Sequence, residues 1–305
     1  MIWHRLCANM RKESAGLAVS ALRRGREKSM ADDETVQGDA PHTPDTLTRR
    51  VLSSIALIVA TLGACYFGGA AFVGLVTIFM VLMYFEWARM VERVSFSPSF
   101  FILSAFGVVA ILLAANGYYP FAFALCVLAG ITILASVQDQ SARRWLALGA
   151  VYICAPCVAL IWLRGDVANG RALTILLFAI VWAADTGAYG FGRIIGGPRL
   201  SPTLSPAKTW AGAMGGVFAG GLVGFVAAPL FDSANIYFAL IGGGLGVVSI
   251  LGDIAESAVK RRFGVKDASG LIPGHGGVLD RLDGMIFVAS AAALVLYGQS
   301  LLLRF

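Results

Sequence analysis

Residues 252–284 read GDIAESAVKRRFGVKDASGLIPGHGGVLDRLDG, and this stretch decides how the rest of the chain is interpreted. From Asp253 to Asp283 it holds five acids, five lysines or arginines and one histidine, although only 14% of the whole chain is charged. Apolar segments lie on both sides. Charge beside a membrane helix is ordinary, but this density of both signs around a glycine-rich turn predicts a site where metal ions and a polyanionic substrate meet at a membrane surface.

The composition indicates an integral membrane protein. Of the 305 residues, 58% are hydrophobic and 14% are charged, whereas soluble domains have roughly 25% charged residues. The net charge of +6 is explained first by loop lysines and arginines that set membrane orientation, and second by attraction to anionic headgroups. No basic stripe with interleaved aromatic residues occurs outside the N-terminal tail, so we expect no nucleic-acid partner.

Residues 1–48 form a polar tail that differs from the rest of the chain. Residues 1–29 are basic, and residues 30–48 are acidic and poor in apolar side chains, which is typical of disorder. Met30 is followed by a short polar leader, so one hypothesis is that residues 1–29 are a mis-called upstream extension. The alternative is a basic tail that binds a membrane surface.

The apolar segments predict an all-α, polytopic membrane protein with about nine transmembrane helices. A bilayer core needs about 20 helical residues, so the 35 uncharged residues between Arg50 and Glu86 are too many for one span. Gly68-Gly69 predicts the break. The predicted spans are 51–67, 70–85, 100–115, 119–137, 145–163, 172–192, 210–231, 236–258 and 284–303. We divide them into N-terminal helices over 49–192 and a catalytic region over 193–305, to which residues 185–192 contribute.

The distribution of lysine and arginine predicts the orientation. With the N-terminus in the cytoplasm, alternating loops place 21 of these residues inside and three outside, or 12 and three without the tail. The positive-inside rule therefore favours nine spans and a periplasmic C-terminus. We expect a multi-pass protein of the cell inner membrane whose active-site loops face the cytoplasm.

A glycine repeat marks the seventh span. Gly212, Gly216, Gly220 and Gly224 recur every four residues, so they share one helical face and allow another helix to approach closely. The pattern favours packing within the chain, and a homodimer contact is the alternative.

The upstream part of the charged stretch forms a polar stripe. A carboxylate in hydrocarbon costs about 2.5–3.5 kcal/mol, so Asp253 is expected to face a polar cavity or a cation. On a helix, Glu256, Ser257 and Lys260 lie on the same face as Asp253. An ion pair that only holds this helix in its bundle explains the stripe equally well.

The downstream part combines a glycine turn with two carboxylates. Residues 273–277 can approach a ligand closely, because glycine tolerates unusual backbone angles. Asp280 and Asp283 follow with Arg281 between them, and a helix that begins nearby puts Asp280 at its N-terminal end. Carboxylates from two helices facing one cavity suit hard cations such as Mg²⁺, which bind oxygen ligands and phosphates. Nearby lysine and arginine would neutralise the phosphates.

The run from Ser257 to Asp283 resembles the signature of the phosphatidate cytidylyltransferases (CDP-diacylglycerol synthases). The matching positions are Ser257, Val259, Lys260, Arg261, Lys266, Asp267, Ser269, Ile272, Pro273, His275, Gly276, Gly277, Leu279, Asp280, Arg281, Leu282 and Asp283. Two further motifs resemble the family, Asp185-Thr186-Gly187-Ala188-Tyr189 and Ser205-Pro206-x-Lys208-Thr209-Trp210. The second departs from the family in having Ala211 where a glutamate is usual. The resemblance covers about residues 185–290.

The resemblance implies a reaction of phospholipid biosynthesis in which CTP and phosphatidic acid give CDP-diacylglycerol and pyrophosphate. The lipid phosphate is already an anion, so repulsion between two polyanions is the obstacle, and metal ions reduce it. Family carboxylates that match Asp253 and Asp280 hold a paired Mg²⁺ or mixed cation centre, beside a lysine that matches Lys260. These three are the expected catalytic residues, with Asp283 and Glu256 as additional or supporting metal ligands.

The remaining candidates are expected to bind substrate. They are Ser205, Lys208, Thr209, Arg261, Lys266, His275 and Arg281. Asp185 is a weaker candidate, because it could simply pair with Lys208 or Arg193.

Two alternatives remain open. One is the same transfer to another lipid phosphate, such as an isoprenoid or ether lipid. The other is an ion-coupled transporter in which Asp253 and Asp280 bind the coupling ions. A transporter gives no reason for the charged run at 260–283 on one cytoplasmic face.

Overall fold

Nine α-helices and one β-hairpin make up the residues that the computed structural model describes, 44–272 and 276–302. Their bounds are α1 Pro44–Phe67, α2 Gly69–Glu92, α3 Pro98–Ala115, α4 Tyr119–Ser136, α5 Gln140–Gly165, α6 Gly170–Ile195, β1 Arg199–Ser201, β2 Ser205–Thr209, α7 Trp210–Ala227, α8 Asn235–Arg262 and α9 Leu279–Leu302. A short 3₁₀ turn, Ala228–Phe231, follows α7. A helix therefore lies at each predicted span, while the antiparallel β1–β2 hairpin was not predicted. The polar tail before residue 44 and the candidate His275 lie outside the described residues.

The helices confirm an all-α, polytopic membrane protein. Within the described ranges, seven helices, α2 to α8, are long and apolar enough to cross a membrane. The apolar part of α1, Val51–Phe67, is shorter.

Local sequence explains where several helices begin and end. Gly68 separates α1 from α2 with a positive φ of 66°, which glycine adopts without strain. The side chains of Ser97, Asp139 and Thr209 accept backbone N–H groups at the starts of α3, α5 and α7, as N-cap residues do. Gly196, with φ of 67°, ends α6.

Large buried side chains fix α2 against α5. The hydroxyl of Tyr84 donates to the carbonyl of Ala150 over 2.8 Å. The indole N–H of Trp87 donates to the carbonyl of Trp145 over 2.9 Å. Both aromatic side chains are almost completely buried, so the face of α2 that carries them, with Glu86 between them in sequence, is held inside the bundle.

The glycine stripe of α7 lies between α6 and α8. A Cβ atom at Gly216 would lie 2.8 Å from the carbonyl oxygen of Ala184 in α6, and one at Gly220 would lie 2.8 Å from the carbonyl oxygen of Gly242 in α8. The interpretation as packing within the chain is therefore confirmed. The homodimer alternative stays a prediction, without support from this stripe. Close packing of the three helices brings Asp185 of α6 towards α8.

Gly242 and Gly244 of α8 provide a matched test of this packing. A Cβ atom at Gly242 would press directly on the carbonyl of Gly220, whereas one at Gly244 would meet nothing within 4 Å. We expect Gly242→Ala to destabilise the protein by about 1–3 kcal/mol, the usual cost of overpacking. Gly244→Ala should leave stability unchanged or raise it, because alanine favours helix. Thermal unfolding in detergent measures both, and equal melting temperatures would contradict the packing.

Candidate active site

A cavity of about 560 Å³ lies where α6, the hairpin, α7, α8 and α9 meet. Its carboxylate side chains are Asp185, Asp253, Glu256, Asp280 and Asp283. Its cationic side chains are Arg193, Lys208, Lys260 and Arg281. Segments far apart in sequence therefore contribute charge of both signs to one space.

Helix α8 carries the predicted polar stripe. Asp253, Glu256, Ser257 and Lys260 all line the cavity, so the predicted helical face is confirmed. α8 continues as a helix to Arg262, which places Lys260 about two turns beyond Asp253.

Lys260 joins α8 to α9 through two carboxylates. Its Nζ lies 2.6 Å from Oε2 of Glu256 and 2.7 Å from Oδ1 of Asp280. The three side chains are only 13%, 1% and 6% exposed, so water screens these contacts weakly. One ammonium thus faces carboxylates from two helices.

Asp280 is held by backbone as well as by Lys260. It lies in the first turn of α9, as predicted. Its Oδ2 accepts the N–H of Gly277 over 2.8 Å and that of Ala268 over 3.0 Å. These bonds tie the start of α9 to the loop before it and fix the direction in which the carboxylate faces the cavity.

The hairpin supplies the second lysine. Nζ of Lys208, on β2, lies 2.6 Å from Oδ2 of Asp253 on α8. Both side chains keep some exposure, 29% and 20%. Ser205 and Thr209 line the same cavity, and Thr209 also caps α7 by accepting the N–H of Gly212 over 3.1 Å. The three hairpin candidates therefore meet the α8 and α9 candidates.

Two candidates do not line the cavity. Arg261 is exposed, and its Nε donates to the carbonyl of Leu204 in the hairpin turn over 3.4 Å. Lys266 is exposed in the loop after α8. Asp185, the weaker candidate, does line the cavity.

A second cavity of about 360 Å³ adjoins the first. Asp185, Asp280 and Arg281 line both. The other walls of the second cavity are largely apolar and include Leu57 and Ile58 of α1, Phe79 of α2, and Phe178 and Trp182 of α6. A charged junction therefore connects a polar space with an apolar one.

The sequence interpretation missed Glu86. This glutamate of α2 is completely buried, and its carboxylate accepts the N–H groups of Val278 and Leu279 at 2.8 and 2.7 Å. The predicted span 70–85 ended just before this acid, whereas the helix continues to Glu92; an acid directly after an apolar run was the available signal, because such a group within a membrane helix requires a partner. The sequence could not show which partner it has.

The carboxylates of the cavity are the type of ligand that a hard cation binds. The cavity is lined by five carboxylates and, within the described ranges, by no cysteine or histidine, and Mg²⁺ prefers oxygen ligands. No group of three or more His, Cys, Asp or Glu side chains in the described part of the chain is arranged around one cation position. Lys208 and Lys260 instead contact oxygens of Asp253, Glu256 and Asp280.

Comparison with known proteins gives a consistent family match. Residues 48–298 match the model of the family described as "Cytidylyltransferase family". A protein of Brucella suis named phosphatidate cytidylyltransferase is 40% identical over 263 residues, which cover 83% of this chain and 93% of that protein. Proteins with the same name from Pseudomonas aeruginosa and Haemophilus influenzae are 33% and 34% identical, over 83% and 78% of this chain and 97% and 94% of their own lengths.

The two lysines of the cavity differ in burial, and this difference predicts different costs of removal. Lys260→Met leaves two nearly inaccessible carboxylates without their cation, which costs about 3–5 kcal/mol for a buried pair. Lys208→Met breaks a partly exposed pair and should cost about 1 kcal/mol or less. Thermal unfolding of both variants in the same detergent checks the order. Equal losses of stability would mean that Lys260 does not hold α8 to α9.

Proposed function

The chain belongs to the cytidylyltransferase family, and we propose that its charged cavity is where it transfers the cytidylyl group of CTP to phosphatidate. The products are CDP-diacylglycerol and pyrophosphate. The observation that carries the assignment to this cavity is the meeting of Lys208, Asp253, Lys260 and Asp280 from three separate segments around one space.

The chemistry is a displacement at phosphorus. An oxygen of the lipid phosphate forms a bond to the α-phosphorus of CTP, and the bond from that phosphorus to the oxygen bridging to the β-phosphate breaks. Because the attacking oxygen is already anionic, no strong general base is required. The protein has to bring two polyanions together and stabilise the charge that moves to the leaving pyrophosphate.

The contacts of the cavity's lysines favour metal participation. Lys208 and Lys260 are already paired with Asp253, Glu256 and Asp280, so we infer that these lysines alone do not offset the charge of a nucleotide triphosphate. We propose that Asp253 and Asp280 hold a paired Mg²⁺ or mixed cation centre, with Glu256 and Asp283 as further ligands. Bound cations would supply Lewis-acid stabilisation of the phosphate charges.

The cationic side chains are proposed to position the carboxylates and to bind phosphates. Lys260 and Lys208 hold the carboxylates in place through contacts of 2.6–2.7 Å. Lys208, with the hydroxyls of Ser205 and Thr209, is proposed to bind CTP phosphates from the hairpin side. Arg281 lines both cavities and is proposed to bind the phosphates of either substrate.

Arg261 and Lys266, which do not line the cavity, remain proposed substrate ligands, as does His275, which lies outside the described residues. Arg261 contacts the hairpin turn, so it is close to the strand that carries Lys208.

The apolar second cavity is proposed to take the lipid. A phosphatidate headgroup at the shared charged junction would leave its acyl chains along the side chains of α1, α2 and α6. This arrangement separates the two substrates by polarity, since the nucleotide lies among the charges and the chains lie among Leu57, Ile58 and Phe178. Another lipid phosphate would be bound by the same chemistry.

We propose nine membrane spans, with α1 and α9 added to the seven longer apolar helices. In this orientation the N-terminus and both polar loops are cytoplasmic, the C-terminus is periplasmic, and the protein lies in the inner membrane. An excess of lysine and arginine in alternate loops supports this orientation through the positive-inside rule.

The assay that tests the function measures pyrophosphate release by purified protein from CTP, phosphatidic acid and Mg²⁺. We expect release that requires the lipid, and a loss of at least about 100-fold in Asp280→Asn, which removes a charge where the transferred group reacts. Asp232→Asn, an exposed acid after the 3₁₀ turn, is the control and should keep normal turnover.

Two results would count against the proposal. Absence of lipid-dependent release would exclude the reaction, and near-normal activity of Asp280→Asn would exclude its assignment to the cation centre. Replacing phosphatidic acid by an isoprenoid phosphate tests the alternative acceptor.

The lipid path is tested by neighbouring residues of α1. Ile58 lines the second cavity, whereas Val59 does not and is 64% exposed. We expect Ile58→Trp to raise KM for phosphatidate roughly tenfold by filling the apolar space, without changing KM for CTP. Val59→Trp should change neither. Equal effects of the two substitutions on KM for phosphatidate would contradict this path.

A further inference from the structure

Glu86 is a buried acid that the proposed chemistry does not use. It lies on α2, is 0% exposed, and takes part in none of the ion pairs found among the described residues. Its carboxylate instead accepts three hydrogen bonds, from the Ser269 hydroxyl at 2.5 Å and from the N–H groups of Val278 and Leu279 at 2.8 and 2.7 Å. A buried charge is tolerated when it is saturated with donors in this way.

Two of these donors belong to the start of α9. The first N–H groups of a helix have no partner within the helix, and the helix dipole favours an anion beside them. Glu86 supplies that anion from a helix nearly 200 residues earlier in the chain. Its carboxylate therefore caps the start of α9.

The same loop is held from the other side by Asp280. Glu86 accepts bonds from Ser269, Val278 and Leu279, while Asp280 accepts the N–H groups of the neighbouring residues Ala268 and Gly277. The two carboxylates thus bind neighbouring residues of the same two segments. A shift of either segment away from Glu86 would also move the bonds that orient Asp280, and with it the contact to Lys260.

Gly277 makes this approach possible. A Cβ atom at position 277 would lie 2.7 Å from Oε1 of Glu86, which is too close for any other residue without rearrangement. The glycine in the turn is thus explained by the nearby Glu86 carboxylate.

We propose that Glu86 is a positioning residue for the transfer reaction, acting through the first turn of α9 on Asp280 and Lys260. The inference rests on the proposed function of the cavity. Glu86 itself touches no substrate in this assignment. Its loss should therefore reduce the rate of the chemical step more than the affinity for either substrate.

The test compares Glu86→Gln with Glu92→Gln on the same helix. The amide at position 86 keeps the shape but turns one acceptor oxygen into a donor, so at least one of the three bonds is lost. We expect kcat to fall roughly 10–100-fold, as for other residues that orient reacting groups, while KM for CTP and for phosphatidate changes less than about twofold. Among the described residues, Glu92 accepts the hydroxyl of Ser99 alone, and Glu92→Gln should keep normal kcat.

Ser269→Ala gives a second, milder measurement. It removes one donor and leaves both backbone bonds of Glu86, so it should lower kcat by less than Glu86→Gln, again without a change in KM. If Glu86→Gln fails to fold, Ser269→Ala tests the positioning role in its place. A normal kcat in Ser269→Ala would then overturn the proposal.

The outcomes separate this inference from the function on which it rests. If the unmodified protein and Glu92→Gln release no pyrophosphate with CTP and phosphatidic acid, the proposed function fails. If they do and folded Glu86→Gln has an unchanged kcat, or loses affinity rather than rate, the positioning role is wrong.

Discussion

The shared ammonium of Lys260 is the contact on which the rest of the site depends. It lies within 2.7 Å of carboxylates from two helices, in surroundings almost closed to water. Without Lys260, Glu256 and Asp280 would lose the cation that both contact, which is unfavourable in surroundings of low dielectric constant. The lysine of α8 therefore helps to hold the acids of α8 and α9 around one cavity. Lys260 thereby links the two helices whose carboxylates line the candidate site.

Close helix packing makes this arrangement geometrically possible. Glycines of α7 let its backbone approach carbonyl oxygens of both α6 and α8 closely. The hairpin follows directly from α6 and leads into α7. Lys208 can then reach Asp253 across the cavity. Larger residues on that face would separate the helices by the width of a side chain. The glycine stripe thus contributes to the candidate site by setting the distances between helices, without any chemical role of its own.

Much of this could be predicted from sequence, because hydrophobic and helical periods are local properties. The apolar segments located the helices, and the spacing of Asp253, Glu256 and Lys260 gave their shared face. Pairings could not be predicted: Asp185 was considered as the partner of Lys208, but the ion pair is with Asp253. The hairpin was missed because strands of three and five residues are too short to show an alternating pattern.

Glu86 shows why local sequence patterns cannot predict contacts between distant parts of the chain. Its partners are separated from it by 183 to 193 positions in sequence, so no periodicity connects them. The division of the chain into N-terminal helices and a catalytic region follows the motifs, yet α2 supplies the carboxylate that orders the start of α9, and α1 supplies walls of the second cavity. Because a buried anion must be matched by donors, the first-turn N–H groups of α9 and the acid of α2 depend on each other. The N-terminal helices are therefore part of what shapes the site, in addition to anchoring it in the membrane.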